Sequence, residues 1–407
     1  MLSSPAVAAA PNPANSDRLP ATLLGSLGLL AMVAPIGMDL YLPAFPQMMS
    51  ELDASSGEVQ WSVTAFLLGG GVGQLVFGPL ADRYGRRRPL LVGTAICLVA
   101  SLVAALAPSL AVLVVARLVA GLTAAAGMVM SRTVVTDVAQ GRAAARALSL
   151  MMLIGGVAPV LAPVLGGVLA TPLGWRGLLL VVAGLVALVL VAAVLWIPET
   201  YPKQVRTRHR EERAATTDRS LLSRAYLGNM LTFGFAMAGF MAYITASSVV
   251  FQIVWSTSST VYGIVFGLGA LVLMSGNATA AALTNRVKPS DLVTGGLGLM
   301  LIGSVAFTAL VGFGVNSAWI VLALFVAFYG LGFILGNTTA LALAAVPRKT
   351  GRGSAWLGAG AYALGAVASA VVGVGAGESA LPLALTFLSA IVLAIVCHLI
   401  AKAGKPQ

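Results

Sequence analysis

Residues 178–195 read LLLVVAGLVALVLVAAVL, eighteen consecutive positions with no charge and no polar side chain. A helix of about 20 such residues crosses the ~30 Å hydrocarbon layer of a bilayer, whereas core helices of soluble domains alternate apolar and polar faces. Reading outward from this run, comparable stretches recur along the whole chain: 21–44, 58–79, 89–107, 110–131, 147–170, 175–197, 225–250, 260–283, 292–313, 318–341, 354–376 and 382–402. Backbone amides in lipid need partners inside their own segment, so spans of this length are expected to be helices. The short alternating segments of a β-barrel do not occur.

Composition agrees with that reading. Of 407 residues, 59% are hydrophobic and 9% charged, and the mean hydropathy is +0.96. A soluble domain has about 25% charged residues, so a soluble enzyme is excluded, and so is a disordered chain, which is poor in apolar residues. Cys97 and Cys397 lie in separate spans and outline neither a disulfide framework nor a metal cluster. Residues 1–20 are expected to be a disordered polar tail rather than a removable signal peptide. Residues 403–407 form a second tail.

The net charge of +11 is a topology signal. Arg83, Arg86, Arg87, Arg88, Arg142, Arg146, Arg286, Lys288, Arg348, Lys349 and Arg352 all fall in connections on the side of the N-terminus, as do the bases of 198–224. Arg176 alone falls in an opposite loop. By the positive-inside rule both termini face the cytoplasm. Nucleic acid is not expected as a partner, because no basic face carries aromatic residues on which bases could stack.

The longest polar stretch, 198–224, separates residues 21–197 from residues 225–402, six spans on each side. Two such bundles around a binding site near the membrane midplane are the plan of many secondary transporters. No G-x-x-x-x-G-K-S/T nucleotide loop is present. A driving force would come from an ion gradient, with no cofactor.

Twelve of the thirteen acidic residues lie in tails, loops or span ends, and only Asp39 lies within an apolar segment. A carboxylate there costs about 2.5–3.5 kcal/mol on insertion scales, and such groups mark ion or substrate pathways. Asp39 falls about 27 Å along an outward-running helix, and Arg117 about 10 Å into one that starts on the outer side. Both therefore belong to the outer leaflet of the first half. Burial disfavours a charged carboxyl while a nearby arginine favours it; between those influences Asp39 is expected to load and release a proton. If proton and cargo stabilise one site but not together, they exchange across the membrane.

Gly78-Pro79-Leu80-Ala81-Asp82-Arg83-Tyr84-Gly85-Arg86-Arg87-Arg88 resembles the loop between spans two and three of the major facilitator superfamily, G-x-L-x-D-R-x-G-R-R/K. The resemblance implies a fold of twelve helices in two pseudo-symmetric six-helix bundles. It also implies that Gly78, Asp82, Arg83, Gly85, Arg86 and Arg87 stabilise the outward-open state without touching substrate. In the fifth span, Gly155, Gly156, Pro159, Pro163, Gly166 and Gly167 match the antiporter motif of drug/proton exchangers. Arg117-Leu118-Val119-Ala120-Gly121 resembles the R-x-x-x-G of proton-coupled members. Met38-Asp39-Leu40-Tyr41-Leu42-Pro43 is similar to the M-D-x-Y-L-P signature of the bicyclomycin/chloramphenicol exporters (Bcr/CflA). Some multidrug relatives carry a second acid two turns earlier, where this chain has Ala31.

These resemblances imply a proton-coupled antiporter in a bacterial inner membrane that exports small, mostly neutral amphipathic drugs such as phenicols or bicyclomycin-like compounds. It is expected to be a monomer whose partners are drug, protons and lipid. Met38, Tyr41, Gln74, Phe240, Tyr243, Phe266, Tyr329, Phe333 and Tyr362, with Asn277 and Asn337, are the expected pocket residues, since pockets for such molecules are largely apolar with a few polar groups. The alternatives are a proton symporter for a nutrient and a non-transporting membrane scaffold or enzyme. The latter would need a cluster of catalytic groups at one membrane face, and the sequence holds none.

Overall fold

The structure is a computed structural model that describes residues 20–139, 141–202, 220–315, 318–346, 350–374 and 379–403. Nearly all of the expected N-terminal tail, most of the linker and most of the short C-terminal tail lie outside these residues. The described chain folds as α1 (Ala21–Asp39), α2 (Phe45–Glu51), α3 (Ser56–Tyr84), α4 (Arg87–Ala105), α5 (Leu110–Val138), α6 (Gly141–Trp196), α7 (Arg224–Val249), α8 (Ser259–Leu283), α9 (Pro289–Gly312), α10 (Ala318–Ala344), α11 (Thr350–Gly373) and α12 (Leu381–Ala403). A tight turn, Leu42–Ala44, joins α1 to α2, and a wide turn, Val250–Val254, extends α7.

Eleven helical stretches are long and apolar enough to cross a membrane, and one, Ile154–Trp196, has 43 residues. At 1.5 Å per residue this is about 65 Å, twice the hydrocarbon thickness, so it must turn back. It does so at Gly174, whose φ of 63° breaks the helix. The two arms of α6 are spans five and six, and the crossings number twelve among the described residues. One boundary differs from expectation. The first span stops at Asp39 rather than at residue 44, because the Leu42-Pro43 step cannot continue an α-helix, and the outer connection then forms the short helix α2. Pro159 and Pro163 do not interrupt α6; the break falls at the glycine.

Serine side chains start several helices. Ser55 and Glu58 form a reciprocal capping box at α3, and Ser109, Ser223 and Ser258 each accept a backbone N–H at the starts of α5, α7 and α8. Each such cap contributes about 1 kcal/mol. Leu195, Val99 and Val115 are more than 60% exposed, which fits an apolar exterior in contact with lipid.

The spans of the two halves meet along two seams, α3 against α11 and the first arm of α6 against α8. The second seam is a backbone contact: a β-carbon on Gly263 would collide with the Pro163 carbonyl oxygen, and one on Gly167 with that of Ser259. Small residues permit such approach and lend membrane helices their packing energy. At the far face, opposite the start of α1, further bonds cross between halves. Thr64 and Ser369 hydroxyls meet at 2.6 Å, Ser248 donates to the Leu42 carbonyl, and Ser259 donates to that of Gly167. Among the described residues, the hydrogen bond between halves that lies deepest toward the face where α1 starts is Tyr362 Oη to Met128 Sδ at 3.5 Å. The structure is closed at the far face. Replacing Gly263 by Val is expected to hold α6 off α8. In a chain whose native cysteines are replaced, a cysteine placed at Thr260 should then react with a membrane-impermeant maleimide about tenfold faster, a shift equivalent to about 1.4 kcal/mol.

Candidate functional site

Asp39 is the last residue of α1 and is 1% exposed. Its Oδ1 has no hydrogen-bond partner. Arg117, on α5, is 2% exposed, and its Nε and Nη2 are likewise unpartnered. Within the described residues the two form no ion pair, although they lie within electrostatic range of each other. The guanidinium instead stacks on two rings, 4.3 Å from the centre of Phe66 and 4.6 Å from that of Tyr41. Each such contact is worth about 0.5–2 kcal/mol, more where water is excluded. Tyr41 is itself fixed by a 2.9 Å hydrogen bond between its hydroxyl and Ser62. Three elements, α1 with its turn, α3 and α5, therefore converge on one carboxyl and one guanidinium. Arginine stays protonated, so Asp39 is the member of the pair that can change charge.

The motif at 78–88 folds into a hub centred on Arg86. Its guanidinium donates to Asp82 Oδ1 and Asp137 Oδ2, both at 3.0 Å, and lies 4.2 Å over the Tyr201 ring. Gly85 adopts φ 91°, and a side chain there would collide with the Glu199 carboxylate. That carboxylate accepts the backbone N–H groups of Arg86 at 2.8 Å and of Tyr201 at 2.9 Å. Arg87 donates to the Val194 carbonyl, and Arg83 lies over the Tyr84 ring. Gly78 has open space where a β-carbon would stand. The hub ties the ends of α3, α5 and α6 together within the first half.

The small residues of the fifth span face two ways, some toward the second half and some toward α1. Pro163 and Gly167 abut α8, Gly156 faces Met274, Gly166 abuts the Leu40 carbonyl beside Asp39, and Gly155 packs on Ala31. The expected pocket residues divide into groups. Phe240, Tyr243 and Phe266 come together around Phe328, with Tyr243 and Phe328 ring centres 4.8 Å apart. Tyr362 packs on Gly70 and Gly71 across the α3–α11 seam, and Gln74 lies against Gly358 on the same seam. Met38 and Tyr41 flank Asp39 and are buried. Tyr329 and Phe333 lie apart from these, in a small cluster with Ala280 and Leu292 among α8, α9 and α10. Asn337 donates to the Phe333 carbonyl one turn back.

Sequence reasoning missed Phe66 and Ser62, which look like any core phenylalanine and serine. It also placed Asp137 and Glu199 in connections without seeing that both face the Arg86 hub; their position at the ends of spans four and six was the available signal. Gln60 was missed as well. This residue is 1% exposed on α3, and neither atom of its amide has a partner. It stands 3.8 Å from where a Gly373 side chain would begin, one turn from the Thr64–Ser369 bond. Burying an unmatched polar group costs about 1–3 kcal/mol, and parting α3 from α11 would return the amide to water. Gln60→Leu should therefore favour the closed far face by about tenfold (~1.4 kcal/mol), seen as a loss of the long-distance population between spin labels on α3 and α11.

The sequence profile described as Major Facilitator Superfamily matches residues 27–370. The chain is 34% identical over 94% of its length to an uncharacterized MFS-type transporter, YdgK, of Bacillus subtilis, covering 95% of that protein. It is 27% identical to a bicyclomycin resistance protein homolog of Haemophilus influenzae, with 92% and 94% of the two chains covered. To multidrug resistance protein D of Escherichia coli it is 31% identical, with 83% and 84% covered. Among solved structures, that of a D-xylose–proton symporter superposes with a TM-score of 0.77 at 15% identity, over 95% of this chain and 98% of that one.

Proposed function

The chain belongs to the Major Facilitator Superfamily, and from that membership we propose that it is a proton-coupled exporter of small amphipathic drugs. It is a multi-pass membrane transporter and not an enzyme. The observation that carries the finer reading is Asp39: a carboxyl within a spanning segment, buried, with an oxygen awaiting a partner. A protonated Asp39 is neutral and needs no counter-charge, and an ionised one is stabilised by Arg117. Cargo entering from the face where α1 starts would bind against Asp39 and Arg117 and displace the proton. Opening of the α3–α11 and α6–α8 seams would then release cargo, and a proton from the far side would reload the carboxyl. Proton and drug take turns at one site, so each outward drug movement is coupled to inward proton movement.

Relatives named for multidrug and bicyclomycin resistance support export over uptake. The shared fold of a proton symporter does not favour uptake, because coupling direction depends on the site rather than the fold. The aromatic group around Phe328 and the sparse polar groups suit neutral phenicol- or bicyclomycin-like molecules. The basic connections favour cytoplasmic termini in a bacterial inner membrane, and the proposed exporter is a monomer with six-span units at 21–197 and 225–402.

The test is expression in a pump-deficient bacterium challenged with a drug panel that includes chloramphenicol and bicyclomycin. The wild type should raise the inhibitory concentration of at least one compound. Asp39→Asn and Arg117→Ala should return it to the vector level at equal membrane abundance. Full resistance with Asp39→Asn would contradict proton coupling through this residue, and accumulation of a nutrient driven by inward proton flow would favour a symporter.

A further inference from the structure

A cavity of about 220 Å³ opens at the end of the second half where α1 also starts, between α7, α9, α10 and α12. Its floor is alanine and leucine, and its polar atoms come from Asn229, Ser290, His398 and Lys402. The space holds about seven waters at ~30 Å³ each and falls short of the ~300 Å³ or more of a drug pocket. It lies at the N-terminal face, away from Asp39 and the far seams. At the same face of the first half the ends of α3 and α5 are closed by Arg86 and its acids. No arginine fills the second-half crevice among the described residues.

The hydrogen-bond directions at this cavity can be assigned. Thr294 donates its single hydroxyl proton to the Ser290 carbonyl at 2.9 Å. Toward its other neighbours the same oxygen can only accept, so Lys402 Nζ and His398 Nε2, each 3.0 Å away, are both donors. A neutral His398 therefore carries its proton on Nε2 and presents a bare lone pair at Nδ1. That Nδ1 is buried and unpartnered, in a residue only 3% exposed that lines the cavity. The Ser290 N–H lies in the first turn of α9, where donors have no intrahelical acceptor, and Lys288 supplies no side-chain cap. Lys402 stands at the mouth, 3.6 Å from Asp291.

These groups ask for a particular ligand. Lys402 and the α9 terminus favour an anion, but the Asp291 carboxylate already offsets part of that charge, which selects one negative charge over two. Nδ1 needs a hydroxyl donor, and the apolar floor suits a short carbon chain. The site also sits at a membrane face, where basic crevices between spans bind lipid head groups. We propose that this cavity binds the phosphoglycerol head group of an anionic lipid, a monoanionic phosphodiester bearing free hydroxyls. The phosphate meets Lys402 and the first turn of α9, and a glycerol hydroxyl donates to His398 Nδ1.

The test uses the full-length protein in vesicles of phosphatidylcholine with equal phosphatidylglycerol, followed by native mass spectrometry of the lipid retained. The wild type should retain phosphatidylglycerol over phosphatidylcholine by about tenfold, the discrimination expected from one or two hydrogen bonds to charged or buried groups. His398→Leu and Lys402→Ala should abolish that preference. Ala345→Leu, which keeps His398 and fills the cavity, should abolish it too, so a folding defect of the histidine variant alone leaves the result readable. Equal preference in wild type and all variants would overturn the proposal. A thermal stabilisation by soluble glycerol phosphate, lost in His398→Leu but without any lipid preference, would overturn the lipid assignment and leave a soluble phosphate ester as the ligand.

Discussion

A carboxyl and a guanidinium buried in hydrocarbon without pairing impose the strongest constraint on this molecule. Asp39 and Arg117 are both almost fully covered, yet each keeps polar atoms unmatched. Moving a charge out of water is costly unless something replaces the lost hydration. For Arg117 the replacement is partly aromatic, the rings of Tyr41 and Phe66. For Asp39 no hydrogen bond among the described residues replaces the lost hydration at Oδ1. The pair is thus an incomplete site, held open by side chains from α1, α3 and α5 rather than closed on itself.

The rest of the architecture makes that incompleteness usable. The far seams place glycine backbones against α6 and α8, so they shut tightly with little side-chain interlocking. Gln60, unmatched within the α3–α11 seam, keeps the shut state from being too stable. The Arg86 hub does the opposite at the other face: its acids, Tyr201 ring and backbone contacts are fully engaged, and they bind the ends of α3, α5 and α6 into one body. The first half is thereby braced internally at this face, whereas the two halves touch along the seams.

Much of this was legible in the residues because hydrocarbon is an unforgiving solvent. Apolar runs such as 178–195 announced the spans, and one acid and one base inside them announced the site, since each costs enough to need a reason. Other features gave no such signal. Nothing in the sequence separates Phe66, which carries Arg117, from phenylalanines that only pack. For the same reason Tyr329 and Phe333 were grouped with Phe240 and Tyr243, although α10 turns them toward α8 and α9. The end of α1 at Asp39 depended on the local turn at Leu42–Ala44, and the helix α2 was too short to stand out from a loop. Gln60 reads as an ordinary polar residue near a helix start until the facing helix is known.

The central claim is that proton and cargo compete for Asp39, and proton release measures it directly. Purified protein in weakly buffered detergent solution, at a pH where Asp39 is protonated, is mixed with a drug it exports while a pH-sensitive dye reports free protons. The account predicts acidification that saturates with drug binding in the wild type and disappears in Asp39→Asn, which still binds the drug. Equal acidification by the two proteins, or drug binding by the wild type with no proton released at any pH, would contradict it.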